Sequence, residues 1–578
     1  MKNIDMINKN LVIALLLFIF LLPAQAQTRK QEPGLKREVT LYNPFKPSLP
    51  EFKKRSFLPD MNDTLKINPD IKYEIITVPF KPEYLISQLK PASLLPDPLP
   101  KLYKSFVNIG LGNYNSPLAE ISITNERSKK GAFGFYARHF SSNGNIKVHN
   151  AKAYAGYMDN DVSLFGKKFL RGSILDGSVD FSQKVRHAYG YDTSIFYYEP
   201  ARNVTRLGYN QLGANIGLAS STSDSSRLSY DFNLDYNYFY QSSSIFSHNL
   251  RLTGMASKSY EGFYIGSGIE FDYYNISERV WGKSKYIASI SPFLAKSSPQ
   301  WNFKLGIEAL LDRNLTDAAK FHIYPDIKLG FSIVPSYINF FAGIGGSLEK
   351  NNPESIIEIN PYILPDGRLF SIPNTDNALV VFGGLKGNTG MNGNYLVSAS
   401  YSVINDMIFF SNLFYPDTMF IFERGNHFIT LPDNGELFNL HGEMSGKITE
   451  KLSFIAKGDY FSYNLAEQEY AWNKPDWQAK LGFKYNLRNK IIAGAEIIGI
   501  GSRKQKVTRD ITEPVPLVPP SVFSMPAHVN LNLSAEYRYT KILSFWVKLN
   551  NISYNRYYEW SYYPSHRFMG MIGFTYNL

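Results

Sequence analysis

From Leu102 to the carboxyl terminus the chain alternates between apolar and polar positions. Its clearest stretch runs from Arg227 to Tyr240: Leu228, Tyr230, Phe232, Leu234, Tyr236, Tyr238 and Tyr240 take every second place, with Asp231, Asn233, Asp235 and Asn237 between them. Strand side chains point to opposite faces with a period of two, so this pattern predicts a strand with one oily and one wet face. The last stretch, Ala527 to Leu578, repeats the pattern. Val529, Leu531, Leu533, Ala535, Tyr537 and Tyr539 alternate with Asn530, Asn532, Ser534, Glu536 and Arg538. Leu543, Phe545, Val547 and Leu549 follow, with Trp546 breaking the polar set, and Phe568, Gly570, Ile572, Phe574, Tyr576 and Leu578 end the sequence. Apolar rows of about six positions are too long for soluble strands of about five or six residues in all. Tyr557, Tyr558, Trp560, Tyr562 and Tyr563 cluster where strands end, as aromatics do at a membrane interface. The expected fold is all-β: a transmembrane antiparallel up-and-down β-barrel.

The connections point the same way. Ser259-Tyr260-Glu261-Gly262, Ser297-Ser298-Pro299, Val334-Pro335-Ser336, Thr449-Glu450-Lys451, Arg488-Asn489-Lys490 and Thr540-Lys541 are tight turns, whereas 189–204, 351–378, 414–434 and 502–526 are long polar connections. Outer-membrane barrels pair short periplasmic turns with long outward loops. Segmenting the chain on this basis gives about 22 strands, including 150–166, 379–389, 394–413 and 435–448. An even count puts both chain ends in the periplasm. Asn405-Asp406 is either a bulge within one strand or a turn between two.

The chain opens with Lys2 and Lys9, the apolar run Leu11 to Leu22, and Pro23-Ala24-Gln25-Ala26, which predicts a signal peptide over 1–26. Twelve apolar residues at about 1.5 Å each are too few to span a bilayer. Residues 27–100 are rich in proline and charge, so neither helix nor sheet propagates; an extended segment, periplasmic or filling the lumen, is expected before a barrel over 101–578. Within it Glu38, Val39, Thr40, Leu41 and Tyr42 form a short β-prone run, read either as a partner-docking strand or as plain tail.

Composition narrows the chemistry. A formal charge of +11 is spread over turns and wet faces rather than clustered, and a secreted chain has no nucleic-acid partner. Cysteine is absent and the nine histidines are dispersed, so no metal site or cofactor is expected. Gly343-Ile344-Gly345-Gly346 ends an alternating strand with no helix after it, which favours close strand packing over a nucleotide loop. No enzyme is expected. Asp231, Asp235 and Glu536, opposed by Arg538 and Lys548, are candidate lumen charges that either select solutes or neutralise one another.

Asn550-Asn551-Ile552, Asn555-Arg556-Tyr557-Tyr558, Pro564, Arg567, Gly570 and the final apolar strand resemble the closing Asn-Leu-x-Asn-x-x-Tyr, Pro, Arg and Gly pattern of TonB-dependent receptors. The resemblance implies a 22-stranded outer-membrane barrel taking part in solute transport, in a shortened form similar to receptor-like barrels of Bacteroidetes. The family's plug domain has no counterpart in 27–100, so inward-folded loops, the Pro-rich segment or another subunit are expected to fill the lumen. Implied partners are outer-membrane lipid, the barrel-assembly machinery during insertion and a periplasmic or lipoprotein partner, with use of TonB left open. The alternative is a non-conducting scaffold subunit of an outer-membrane complex.

Overall fold

The computed structural model describes residues 103–578 apart from 126–127, 149–150, 191–200, 222–226, 243–244, 277–284, 315–317, 364–371, 391, 415–423 and 510–520. The expected leader, the Pro-rich segment and the run Glu38 to Tyr42 lie outside the described residues.

Alternation becomes geometry directly. Antiparallel strands from Ser105–Gly112 to Met569–Asn577 form a closed ring of 22. The first pairs with the last, with Ile109 opposite Phe574 and Leu111 opposite Ile572, so no edge is left open. Apolar positions of neighbouring strands fall in register on the outer face: Leu234 is opposite Leu252, which in turn is opposite Phe271. Phe133, Ile323 and Ile572 are each more than 60% exposed there. A belt of this kind belongs in hydrocarbon, and the wall is that of a bacterial outer-membrane protein. The polar row faces the lumen.

One rim carries the tight turns at 170–172, 261–262, 298–300, 335–337, 448–451 and 488–490 together with both ends of the ring, which makes it the periplasmic rim. The opposite rim carries the long connections.

Trp546, the misfit of the polar row, explains two glycines at the seam. Its indole lies across Gly110 and Gly573 of the first and last strands, where an added Cβ would come within 2.5 and 2.2 Å of the ring. Its Nε1 donates to Asn108 Oδ1 at 2.7 Å.

The structure refines the expected elements mainly on the outer side. The strand expected from 150 begins at Tyr157, because Asn145–Val148 and Ala151–Tyr154 form a hairpin of their own. The connection 351–378 holds a helix, Pro353–Ile359, started by a reciprocal cap: Asn352 Oδ1 accepts from Ser355 N at 2.7 Å and Asn352 N donates to Ser355 Oγ at 3.0 Å. The connection 502–526 holds the hairpin Arg503–Arg509 and Val522–Met525, hung by parallel pairing on the strand Asn394–Phe414. Asn405-Asp406 is a bulge: the register of Asn394–Phe414 against Arg424–Lys447 shifts between Ile404 and Met407, and Asp406 has φ 55°.

Candidate outer lid of the lumen

Beyond that bulge the strand ceases to be barrel wall. Met407, Ile408, Phe409, Phe410, Ser411, Asn412 and Leu413 are all buried, so both faces are covered by protein where a wall strand shows one face to lipid. The hairpin of 407–414 and 424–433 packs with loops from other parts of the outer rim.

One apolar cluster joins them. It contains Ala188 and Leu207, Tyr209 and Phe239, Tyr274 and Ile276 from one arc; Ile356, Ile357, Tyr362 and Ile363 from the helix and its exit; Ile408, Phe410 and Phe428 from the hairpin; and Trp560 and Tyr563 from the loop before the last strand. In ring order the hairpin strands lie about diametrically opposite the first arc, so the cluster bridges the outer mouth. Tyr362 and Tyr563 stack at 3.7 Å, Tyr189 meets Tyr563 edge-on at 4.8 Å, and Trp560 stands 5.2 Å from both Phe410 and Phe428. Gly190 makes room for Tyr563, whose ring a Cβ there would meet at 2.1 Å.

Hydrogen bonds pin this lid on every side, satisfying polar groups that burial would otherwise penalise. Tyr209 Oη donates to Pro361 O at 2.5 Å and Phe428 N to Tyr362 O at 3.1 Å. Tyr563 Oη donates to the carbonyl of Asn426, whose Nδ2 donates to Ala188 O at 3.4 Å. Glu354, in the first helical turn, accepts from Gln211 Nε2 and Asn237 Nδ2, each at 2.6 Å. Lys350 meets the almost fully buried Asp272 at 2.5 Å. On the far side Arg503 donates to the carbonyls of Tyr558 and Glu559, and Gln505 Nε2 donates to Phe410 O at 2.5 Å. Burial pushes the carboxyl of Glu354 above the usual carboxylate range, the opposing pull of the Asn237 hydrogen bond and of Lys350 being smaller.

The residues singled out from sequence are distributed as follows. Trp560, Tyr562 and Tyr563 are buried in the lid rather than set in an interfacial ring, while Tyr557 stacks on His528 at 4.3 Å and Tyr558 meets Phe523 at 5.4 Å. Local spacing could not distinguish these cases, because an aromatic loop folded inward reads like an aromatic girdle. Glu536, Arg538 and Lys548 come together on one lumen recess near the periplasmic rim; Arg538 Nε lies 3.0 Å from Glu536 Oε1, and Lys548 lies 5.0 Å from the Trp546 ring. Asp231 and Asp235 lie on a different arc, accepting from Asn233 at 2.7 Å and Asn215 at 2.6 Å. Further lumen pairs went unread in the sequence: Arg138 between Glu120 and Asp161 at 3.7 and 3.6 Å, Arg251 with Glu270 at 2.9 Å, and Lys457 with Glu443 at 2.8 Å. Their partners lie on neighbouring strands, so only the register pairs them. Among the described residues no cluster of His, Asp and Glu could hold a metal ion.

No protein-family model and no curated protein matches the chain. Solved structures do match its fold. The siderophore receptor PiuA from Acinetobacter baumannii superposes with a TM-score of 0.57 at 11% identity, over 83% of this chain and 82% of that one. The ferric-catecholate import receptor Fiu from E. coli K12 gives 0.60 at 9% identity, over 83% and 82%. The copper transporter OprC gives 0.57 at 12% identity, over 82% and 81%.

Proposed function

We propose that the protein is an outer-membrane transporter whose solute path is the wet lumen and whose outer gate is the loop lid. The observation that carries this reading is the pairing of a polar, charge-lined inner wall with a lid built from connecting loops and the hairpin extension of two wall strands, packed onto the outer ends of wall strands at Tyr209, Phe239 and Tyr274. The shared fold with receptors and transporters supports the reading. In it, the chain is a shortened receptor-like barrel of the Bacteroidetes type, residues 27–100 do not form a plug domain, and the lid takes over closure. Lumen charges act on the solute: Asp180, Asp231 and Asp235 make one arc acidic, and Arg488, Arg538 and Lys548, with Glu536 among them, make another basic.

A second reading, a non-conducting scaffold, draws support from the solidity of the lid, in which Phe428 and Ile356 are wholly buried. Planar-bilayer recordings of the full-length protein separate the two. Replacing 353–363 by a short Gly-Ser bridge should turn a mostly silent barrel into a steady large channel. A folded variant that stays silent would retire the transport reading and leave the scaffold.

A further inference from the structure

The excess of positive charge is not spread evenly between the two ends of the barrel. On the outer rim the signs are mixed and paired, as in Arg186 with Asp159 at 2.7 Å and Lys350 with Asp272 at 2.5 Å. In the described tight turns of the periplasmic rim the acidic residues are Glu261 and Glu450, while basic residues recur around it.

Several of these face the bilayer rather than the lumen. Lys168 shares a strand face with the lipid-exposed Leu164, Lys258 with Leu250 and Leu252, and Lys296 with Ile290, each at the periplasmic end of its apolar row. The ammonium of Lys296 lies 4.2 Å from the ring centre of Phe263 and that of Lys490 5.8 Å from the ring centre of Tyr537, so both charges sit against aromatic faces at the edge of the apolar belt. Lys130 and Arg171 are exposed in the adjoining turns.

We propose that this collar is a binding surface for the anionic phospholipid head groups of the periplasmic leaflet. A phosphate at the level of the glycerol backbone meets the ammonium groups where the hydrocarbon belt ends, and each such contact is worth about a fivefold gain in local partitioning. The collar fixes the depth of the barrel in the leaflet and surrounds it with anionic lipid.

The full-length protein is reconstituted in phosphatidylcholine vesicles with trace spin-labelled phosphatidylglycerol or spin-labelled phosphatidylcholine, and the motionally restricted fraction of each label is compared. The wild type should select phosphatidylglycerol by about threefold or more, falling toward parity in about 0.5 M salt. K168Q, K258Q, K296Q and K490Q together should bring the ratio close to one, and each alone should lower it partway. The outer-rim set K147Q, K152Q, K320Q and K504Q should leave it unchanged. Equal selection by wild type and collar variants, or selection indifferent to salt, would overturn the proposal. So would loss of a bound acidic protein from the collar variants with lipid selectivity intact.

Discussion

Trp546 occupies a lumen-facing position at which its neighbours are Ser544 and Lys548, and it is tolerated because Gly110 and Gly573 leave a trough across the seam. At Gly110 the atoms that a Cβ would strike are the indole Cη2 and Cζ2, at 2.5 and 2.6 Å, with Ile572 O further off at 3.1 Å. G110A should therefore destabilise the barrel by about 1–3 kcal/mol, and most of that loss should vanish in a W546A background. Heat-modifiable gel mobility of the four proteins completes the cycle; purely additive losses would remove Trp546 from the seam. In the lid, Y563A should cost about 3–5 kcal/mol of lid packing. This should appear as faster hydrogen exchange at Phe428, with exchange in the wall strands unchanged.

Glu354 sets the pH behaviour of the lid. Burial raises its carboxyl above the ordinary 4.5, against the smaller pull of the hydrogen bond from Asn237, so the protonated form is the one the lid favours. The stabilisation is complete below the ordinary value and is lost as pH rises through the raised one. Lid opening, read by hydrogen exchange at Ile356 and Tyr362, should increase over that interval in the wild type and become flat in E354Q.

At the scale of the element, the bulge at Asn405-Asp406 turns a wall strand inward. Asp406 holds φ 55°, a conformation open to Asp and Gly and closed to β-branched residues. D406G should leave the lid in place. D406V should cost about 1–2 kcal/mol and raise exchange across 407–413, and equal exchange in the two variants would rule out the bulge as the hinge. The helix depends on its cap, so N352A should loosen it by about 1 kcal/mol.

These elements also mark where the sequence stops being legible. The wall strands could be read because lipid on one side and water on the other impose a period of two. Met407 to Leu413 lacks that period, since protein covers both of its faces, and in isolation it resembles an over-long wall strand. Asn405-Asp406 could be seen as a break, but choosing between bulge and turn required the partner strand. The helix Pro353–Ile359 is too short to show helical periodicity, and its cap signal, Asn352 followed by Pro353 and Ser355, sits in a stretch that reads as loop.

At the scale of the whole molecule, the closed ring, its even strand number and its rims follow from alternation and turn length alone, which is why the segmentation and the structure agree. The lid does not follow from them. Its contacts join residues hundreds of positions apart, as when Tyr189 Oη donates to Pro564 O at 3.1 Å, and only ring closure brings such loops together. Described residues of several outer connections therefore meet in one apolar cluster at the outer end of the barrel. The most direct measurement is an electron cryomicroscopy map of the full-length protein extracted from native membrane. The account predicts a barrel of 22 strands with density for the Pro353–Ile359 helix and the Tyr362–Tyr563 stack lying across the outer mouth. A barrel with the same wall whose hairpin 407–433 and loop 551–568 stand splayed away from an open mouth would contradict it.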